Sequence, residues 1–169
     1  MIVSCQKQNR EANRLFTQKK MVLPDATIHD IKAYYTLKGN VSLILEAPVM
    51  EDYSGNVDFP YQMFPKNVHI TILNPETNEK TFITADTAVL YKKTELTELI
   101  GKVKIRNEKE ESLTTSHLFW DKKNDHIFTD KKVIFKRKNE YIRGTGFDSN
   151  MKFTNARVNN VEGLVHVKN

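Results

Sequence analysis

The sequence predicts an all-β protein: an open β-jelly roll, or V-shaped sandwich, of successive antiparallel strands built from a repeat of roughly 30 residues. Three observations predict it. First, residues 83–105 (ITADTAVLYKKTELTELIGKVKI) lie without a gap on residues 113–135 (LTTSHLFWDKKNDHIFTDKKVIF). Ile83 meets Leu113, Leu90 meets Trp120, Lys92-Lys93 meets Lys122-Lys123, and Val103 and Ile105 meet Val133 and Phe135. A period of this size marks one supersecondary unit used again, each copy burying its apolar face on the next. Second, a short mark, x-Val-x-apolar, recurs at Val41, Val68, Val103, Val133 and Val165, with separations of 27, 35, 30 and 32 positions. Third, a triplet spaced by three recurs as Ala47/Met50/Tyr53, Ala85/Ala88/Tyr91, Thr115/Leu118/Asp121 and Gly144/Phe147/Asn150.

Residues 1–24 read as a unit of their own, and 25–169 as the β domain. Within 6–20 (QKQNREANRLFTQKK) Leu15 and Phe16 are the only large apolar residues, so no packing stripe forms and a tether is expected. From Ala26 the texture is β. Lys38-Gly39-Asn40 signals a turn, and Val41, Leu43, Leu45 and Ala47 share one strand face until Pro48 interrupts the ladder. In residues 54–66, Pro60 and Pro65 argue against helix and central strand; the apolar Phe59, Tyr61, Met63 and Phe64 suggest a loop lying on the body, as a plug or as a lid. Val68, Ile70 and Ile72 alternate again. A turn at 74–78 (NPETN) then sends the chain back through residues 80–84 as a hairpin. Polar turns follow at 107–112, 122–125 and 138–140. No helix is expected after residue 24. Units stacked in order leave open ends, so the final strand around Gly163, Leu164, Val165, His166 and Val167 is a candidate free edge.

Composition narrows the chemistry. An apolar fraction of 39% with 28% charged residues is an ordinary soluble balance, and no apolar run of 18 exists to cross a membrane. The net charge of +5 favours an anionic partner. The single cysteine, Cys5, excludes a disulfide framework within the chain and a CxxC zinc site. It follows Ile2-Val3-Ser4, which reads as the end of a lipoprotein cleavage box. Only four residues precede it, so either a signal segment lies upstream or the match is chance. Nothing marks a catalytic convergence: there is no HExxH, GxSxG, phosphate loop or GxGxxG. His69 and His166 both follow a repeat valine and are expected on the outer, solvent face rather than on a metal. The basic stretch of Lys131, Lys132, Lys136, Arg137, Lys138 and Arg143 has three readings. It is a solvated strand that discourages aggregation, a contact for lipid phosphates, or a single-strand nucleic-acid surface.

In order and spacing the chain resembles the LptC family of the lipopolysaccharide export machine, in its Bacteroidota-type form. The resemblance covers about residues 23–167. It is carried by Gly39-Asn40-Val41, residues 46–53 (EAPVMEDY), 64–68 (FPKNV) and 84–88 (TADTA), Gly101-Lys102-Val103, residues 118–121 (LFWD) and 127–130 (IFTD), and 144–147 (GTGF). It implies a non-enzymatic, cofactor-free periplasmic protein tethered to the inner membrane, by Cys5 or otherwise. Acyl chains of lipopolysaccharide would lie between two sheets. One open edge would pair with the inner-membrane permease, and the C-terminal edge with a soluble bridge protein of the same fold. No nucleic acid would be bound. The residues expected to line the slot are Leu43, Leu45, Val68, Ile70, Val103, Ile105, Val133, Phe135, Val165 and Val167. The alternative is a structural β-repeat module in which the same residues fill a closed core.

Overall fold

Alternation of period two between polar turns becomes a strand nearly everywhere it occurs. The structure, a computed structural model, describes residues 22–55, 58–138 and 140–166, of which 164–166 by backbone alone. Its strands are β1 (Ala26–Leu37), β2 (Asn40–Tyr53), β3 (Tyr61–Phe64), β4 (Val68–Leu73), β5 (Lys80–Ala85) and β6 (Thr87–Tyr91). They continue with β7 (Leu96–Asn107), β8 (Ser112–Asp121), β9 (His126–Arg137), β10 (Glu140–Ser149) and β11 (Arg157–His166). No helix occurs among the described residues.

All pairings are antiparallel. Two routes join β2 to β7. One runs through β4 and β5, the other through β3 and β6. The strands therefore form two sheets over one core. Sheet I holds β4, β5 and the halves of β2 and β7 beside them; sheet II holds β3, β6 and the other halves. Beyond β7, strands β8 to β11 follow one another, each contributing one half to each sheet. The result is the open jelly-roll sandwich that the sequence predicts.

The triplets mark where strands cross between the sheets. In a straight strand, residues three apart point to opposite faces. Here Ala47 and Met50, Ala85 and Ala88, Thr115 and Leu118, and Gly144 and Phe147 are all buried. In three of the four pairs an irregularity between the members lets both point inward. Register shifts lie at Thr115/Phe119 and Thr145/Phe147, and Asp86 separates β5 from β6. In β7 the bend is at Gly101, whose φ of 75° belongs to the left-handed region that glycine enters without strain. A Cβ there would also lie 2.5 Å from Asp86 Oδ2. Gly144 answers a different need, because a Cβ would stand 2.3 Å from the backbone oxygen of Asn160 in β11.

Two expectations are corrected. The prolines at 60 and 65 do not exclude a strand between them. β3 occupies residues 61–64 and pairs with β2 on one side and β6 on the other. The ladder needs N–H groups only from those four residues, and the prolines stand just outside. Phe64 enters the core at 2% exposure, whereas Phe59 stays 71% exposed. Val41 is not a member of the valine set. It is 37% exposed, and β2 runs antiparallel to β4, so its Val-x-Leu cannot overlay Val68-x-Ile70. His69 is exposed, on the outer face of sheet I.

Candidate functional site

The interior is one apolar core with a wall on each sheet. Eight of the residues expected to line it come together on the inner face of sheet I: Leu43, Leu45, Val68, Ile70, Val103, Ile105, Val133 and Phe135, none more than 6% exposed. The cross-strand register makes this a continuous wall. Leu45 pairs with Ile70, Ile70 with Ile83, Ile83 with Ile105, Ile105 with Leu113 and Leu113 with Phe135. Val165 lies on β11, its Cα opposite Tyr141, while Leu164 is the one opposite Ile142. Ile142 packs against the core. Val167 and Cys5, with the tether around it, lie outside the described residues.

Sequence reasoning missed the opposing wall. Leu99, Leu118, Trp120, Ile127 and Phe147 of sheet II are 6% exposed or less. The signal was present: Leu118 and Phe147 are second members of the triplets, and Leu90 and Trp120 match across the 30-residue shift. What was lacking was knowledge that the strands bend. Two interior hydroxyls are tied into the bends. Thr115 Oγ1 donates to the backbone oxygen of Lys132 at 2.9 Å, and Thr129 Oγ1 accepts from Lys131 N at 3.1 Å.

Hairpin turns lie along one side of the sandwich, and two contacts join the sheets there. At one place Lys122, in the β8–β9 turn, puts Nζ 5.2 Å from the ring centre of Tyr35 on β1. Beneath this pair is an apolar cleft of about 50 Å³ walled by Leu43, Leu45, Ile70, Leu90 and Trp120. Farther along, the β10–β11 loop folds into the opening. Phe153 is fully buried against Phe135 of sheet I and Phe147 of sheet II, with ring centres 5.3 and 6.2 Å away. Polar bonds hold the loop in that shape. Asn150 N donates to Asn155 Oδ1 at 2.7 Å, Thr154 N to Asn150 Oδ1 at 2.9 Å, and Met151 N to Asp125 Oδ1 at 3.3 Å. Phe153 itself has φ of 59°, a conformation that side chains rarely adopt. Beside the loop a cleft of about 320 Å³ opens between the β4–β5 turn and Met151 and Lys152.

The outer face of sheet II is acidic and aromatic, with its carboxylates engaged. Glu98 accepts from Tyr91 Oη at 2.7 Å and pairs with His117 Nε2 at 2.7 Å. Asp148 pairs with His126 Nε2 at 2.6 Å. Burial and the Glu98 carboxylate push the Tyr91 phenol up to about 12. At the end of β2, hydrogen bonds from Ser54, Gln62 and Lys92 hold the Asp52 carboxyl down at about 2, against a smaller opposing effect of burial.

At the two ends of the strand order, β11 pairs only with β10, and β1 only with β2, among the described residues. In β11, Gly163 to His166 pair on one side with Arg143 to Glu140. Among the described residues no group of three or more His, Cys, Asp or Glu could hold a metal, and no helix is long and apolar enough to cross a membrane.

A comparison with curated proteins gives no match. A profile of the family described as "LptC: Lipopolysaccharide-assembly, LptC-related" matches residues 2–165. Members of that family are non-catalytic and periplasmic, associated with the inner membrane, and they serve the bridge of the lipopolysaccharide transport machinery. With an all-β sandwich, an apolar interior and a match over nearly its whole length, the chain belongs to the LptC family.

Proposed function

We propose that the chain carries lipopolysaccharide with its acyl chains lodged between the two sheets, and passes it from the inner-membrane transporter toward the outer membrane. The observation that carries this reading is the trough. Its apolar cross-strand rows extend over β2, β4, β5, β7, β8 and β9, so that a chain could lie across the strands along its length. Each methylene taken from water into such a slot contributes about 0.8 kcal/mol. A cleft of about 50 Å³ has room for a few water molecules and not for an acyl chain. Loading therefore requires the mouth to part, at the Lys122–Tyr35 contact and at Phe153. Two edge strands suit the bridge role. β1 would pair with the jelly roll of the inner-membrane permease, and β11 with a soluble bridge protein of the same fold. Acylation of Cys5 would hold the domain at the inner membrane.

A second reading, a structural β-module with a sealed interior, is favoured by the near-zero exposure of Val103, Ile105, Leu99 and Leu118. Photo-crosslinking in cells that make lipopolysaccharide separates the two. A photoreactive residue is placed at Ile105 on one wall and at Leu99 on the other, with Phe119 on the outer face of sheet II as control. Lipid adducts at both wall positions and none at Phe119 support the lipid-carrying reading. No adduct at either wall would leave the sealed module as the better account.

A further inference from the structure

We propose that the outer face of sheet I is a docking surface for an anionic lipid bilayer. Five cations stand on it: Lys104 and Arg106 on β7, Lys132 and Lys136 on β9, and Arg143 on β10. The register sets four of them in two adjacent rows. One runs Lys104–Thr114–Ile134–Arg143, and the next runs Phe82–Arg106–Ser112–Lys136–Tyr141. With strands about 4.8 Å apart, Lys104 and Arg143 are about 14 Å from one another across the face. Lys132 lies one row farther toward the bend, where it and Arg143 border a shallow cleft.

None of the five has an ion-pair partner among the described residues. Two carboxylates stand on this face, Glu162 in the same cleft as Lys132 and Arg143, and each has a partner. Glu46 on β2 pairs with Lys32 at 2.9 Å, and Glu162 on β11 accepts from Thr145 Oγ1 at 3.0 Å. Arg106 and Lys136 lean over aromatic rings, 5.5 Å from the centres of Phe82 and Tyr141, which spreads their stems along the sheet and leaves their charge outward. Protection of a sheet edge does not account for these residues, because β7, β9 and β10 are interior strands. Simple solvation would be served by mixed signs, as elsewhere on the surface. A cluster of one sign on one sheet face matches a surface of many phosphates, and each cation brought to such a surface tightens binding about fivefold. The inner-membrane association of the family supplies the bilayer. This inference stands apart from the acyl-chain reading, since it uses the opposite face of the sheet.

The test is sedimentation of the full chain with vesicles of phosphatidylcholine, with and without phosphatidylglycerol at about one third of the lipid. The chain also carries cations at Arg10, Arg14, Lys19 and Lys20, so variants are matched in charge. Lys104→Glu/Lys136→Glu is compared with Lys38→Glu/Lys123→Glu, both checked for folding by circular dichroism. The expected result is binding only to the anionic vesicles, lost on raising salt, and weakened at least about tenfold more by the first pair than by the second. Lys104→Gln/Lys136→Gln should show the same order with a smaller loss. Equal weakening by both pairs, equal binding to neutral vesicles, or no binding at all would overturn the proposal. Tighter binding to a soluble acidic polypeptide than to anionic vesicles would reassign the face to a protein partner.

Discussion

The two outer faces of the sandwich are made by halves of the same long strands, and they use charge in opposite ways. On sheet II the acids Glu98 and Asp148 are bonded to Tyr91, His117 and His126, and the aromatic rings of Phe119 and Phe128 stack beside them at 5.3 Å. On sheet I the cations at 104, 106, 132, 136 and 143 have no carboxylate partner among the described residues. The difference teaches that exposed charge here is of two kinds. One kind is bonded into the fold, and the other has no carboxylate partner among the described residues.

The comparison can be broken or sharpened by substitution. The largest effect should come from Gly144→Val, because both faces depend on strands crossing cleanly between sheets. The new side chain meets the Asn160 backbone oxygen and Val158. The expected cost is about 3 kcal/mol, or a melting temperature lower by roughly 6–12 °C. Hydrogen exchange should show the loss of protection in both halves of β10 and β11, and an unchanged melting curve would contradict the close approach. Next, Glu98→Ala leaves Tyr91 and His117 without their acceptor, and should destabilise by about 1–3 kcal/mol in urea denaturation. If it proves neutral, the acids of sheet II are no more structural than the cations of sheet I.

A pH titration sharpens the same contrast. The Tyr91 phenol is raised to about 12 in the folded protein, from an ordinary value of about 10. The unfolded chain therefore loses this proton first, and the stabilisation, fully present below pH 10, is lost as pH rises through about 12. Tyr91→Phe should flatten that alkaline decline, and a decline that is identical in the variant would show that Tyr91 is not its source. The smallest effect belongs to sheet I. Lys104→Ala and Arg143→Ala should each change stability by no more than about 0.5 kcal/mol. A larger loss from either would mean that the basic face is holding the fold.

The fold was legible because its unit repeats. The 30-residue shift that lays Ile83–Ile105 on Leu113–Phe135 is the lateral translation from one hairpin to the next, and the turns at 92–95 and 122–125 are counterparts in space. The triplets were visible as a spacing but not as a bend, since periodicity assigns residues three apart to opposite faces until a bulge is known. Half of the core was legible, the sheet I wall, because Val-x-Ile pairs alternate cleanly. Phe153 was not legible as a plug. Its burial depends on polar bonds among Asn150, Thr154 and Asn155 and on the two distant phenylalanines it meets, which no local pattern records. β3 was hidden by its prolines, because a four-residue strand gains its pairing entirely from strands remote in sequence.

The central claim is that the filled trough opens to admit an acyl chain, and the distance across its mouth tests this most directly. Spin labels at Asn74 and Lys152, on opposite sides of the cleft beside the Phe153 loop, would be followed by pulsed electron resonance as lipopolysaccharide is added. The account predicts a longer distance that appears with lipid, saturates with it, and appears at lower lipid concentration in Phe153→Ala. A distance unchanged at a lipid concentration that saturates binding would contradict it, because the acyl chains would then lie somewhere other than between the sheets.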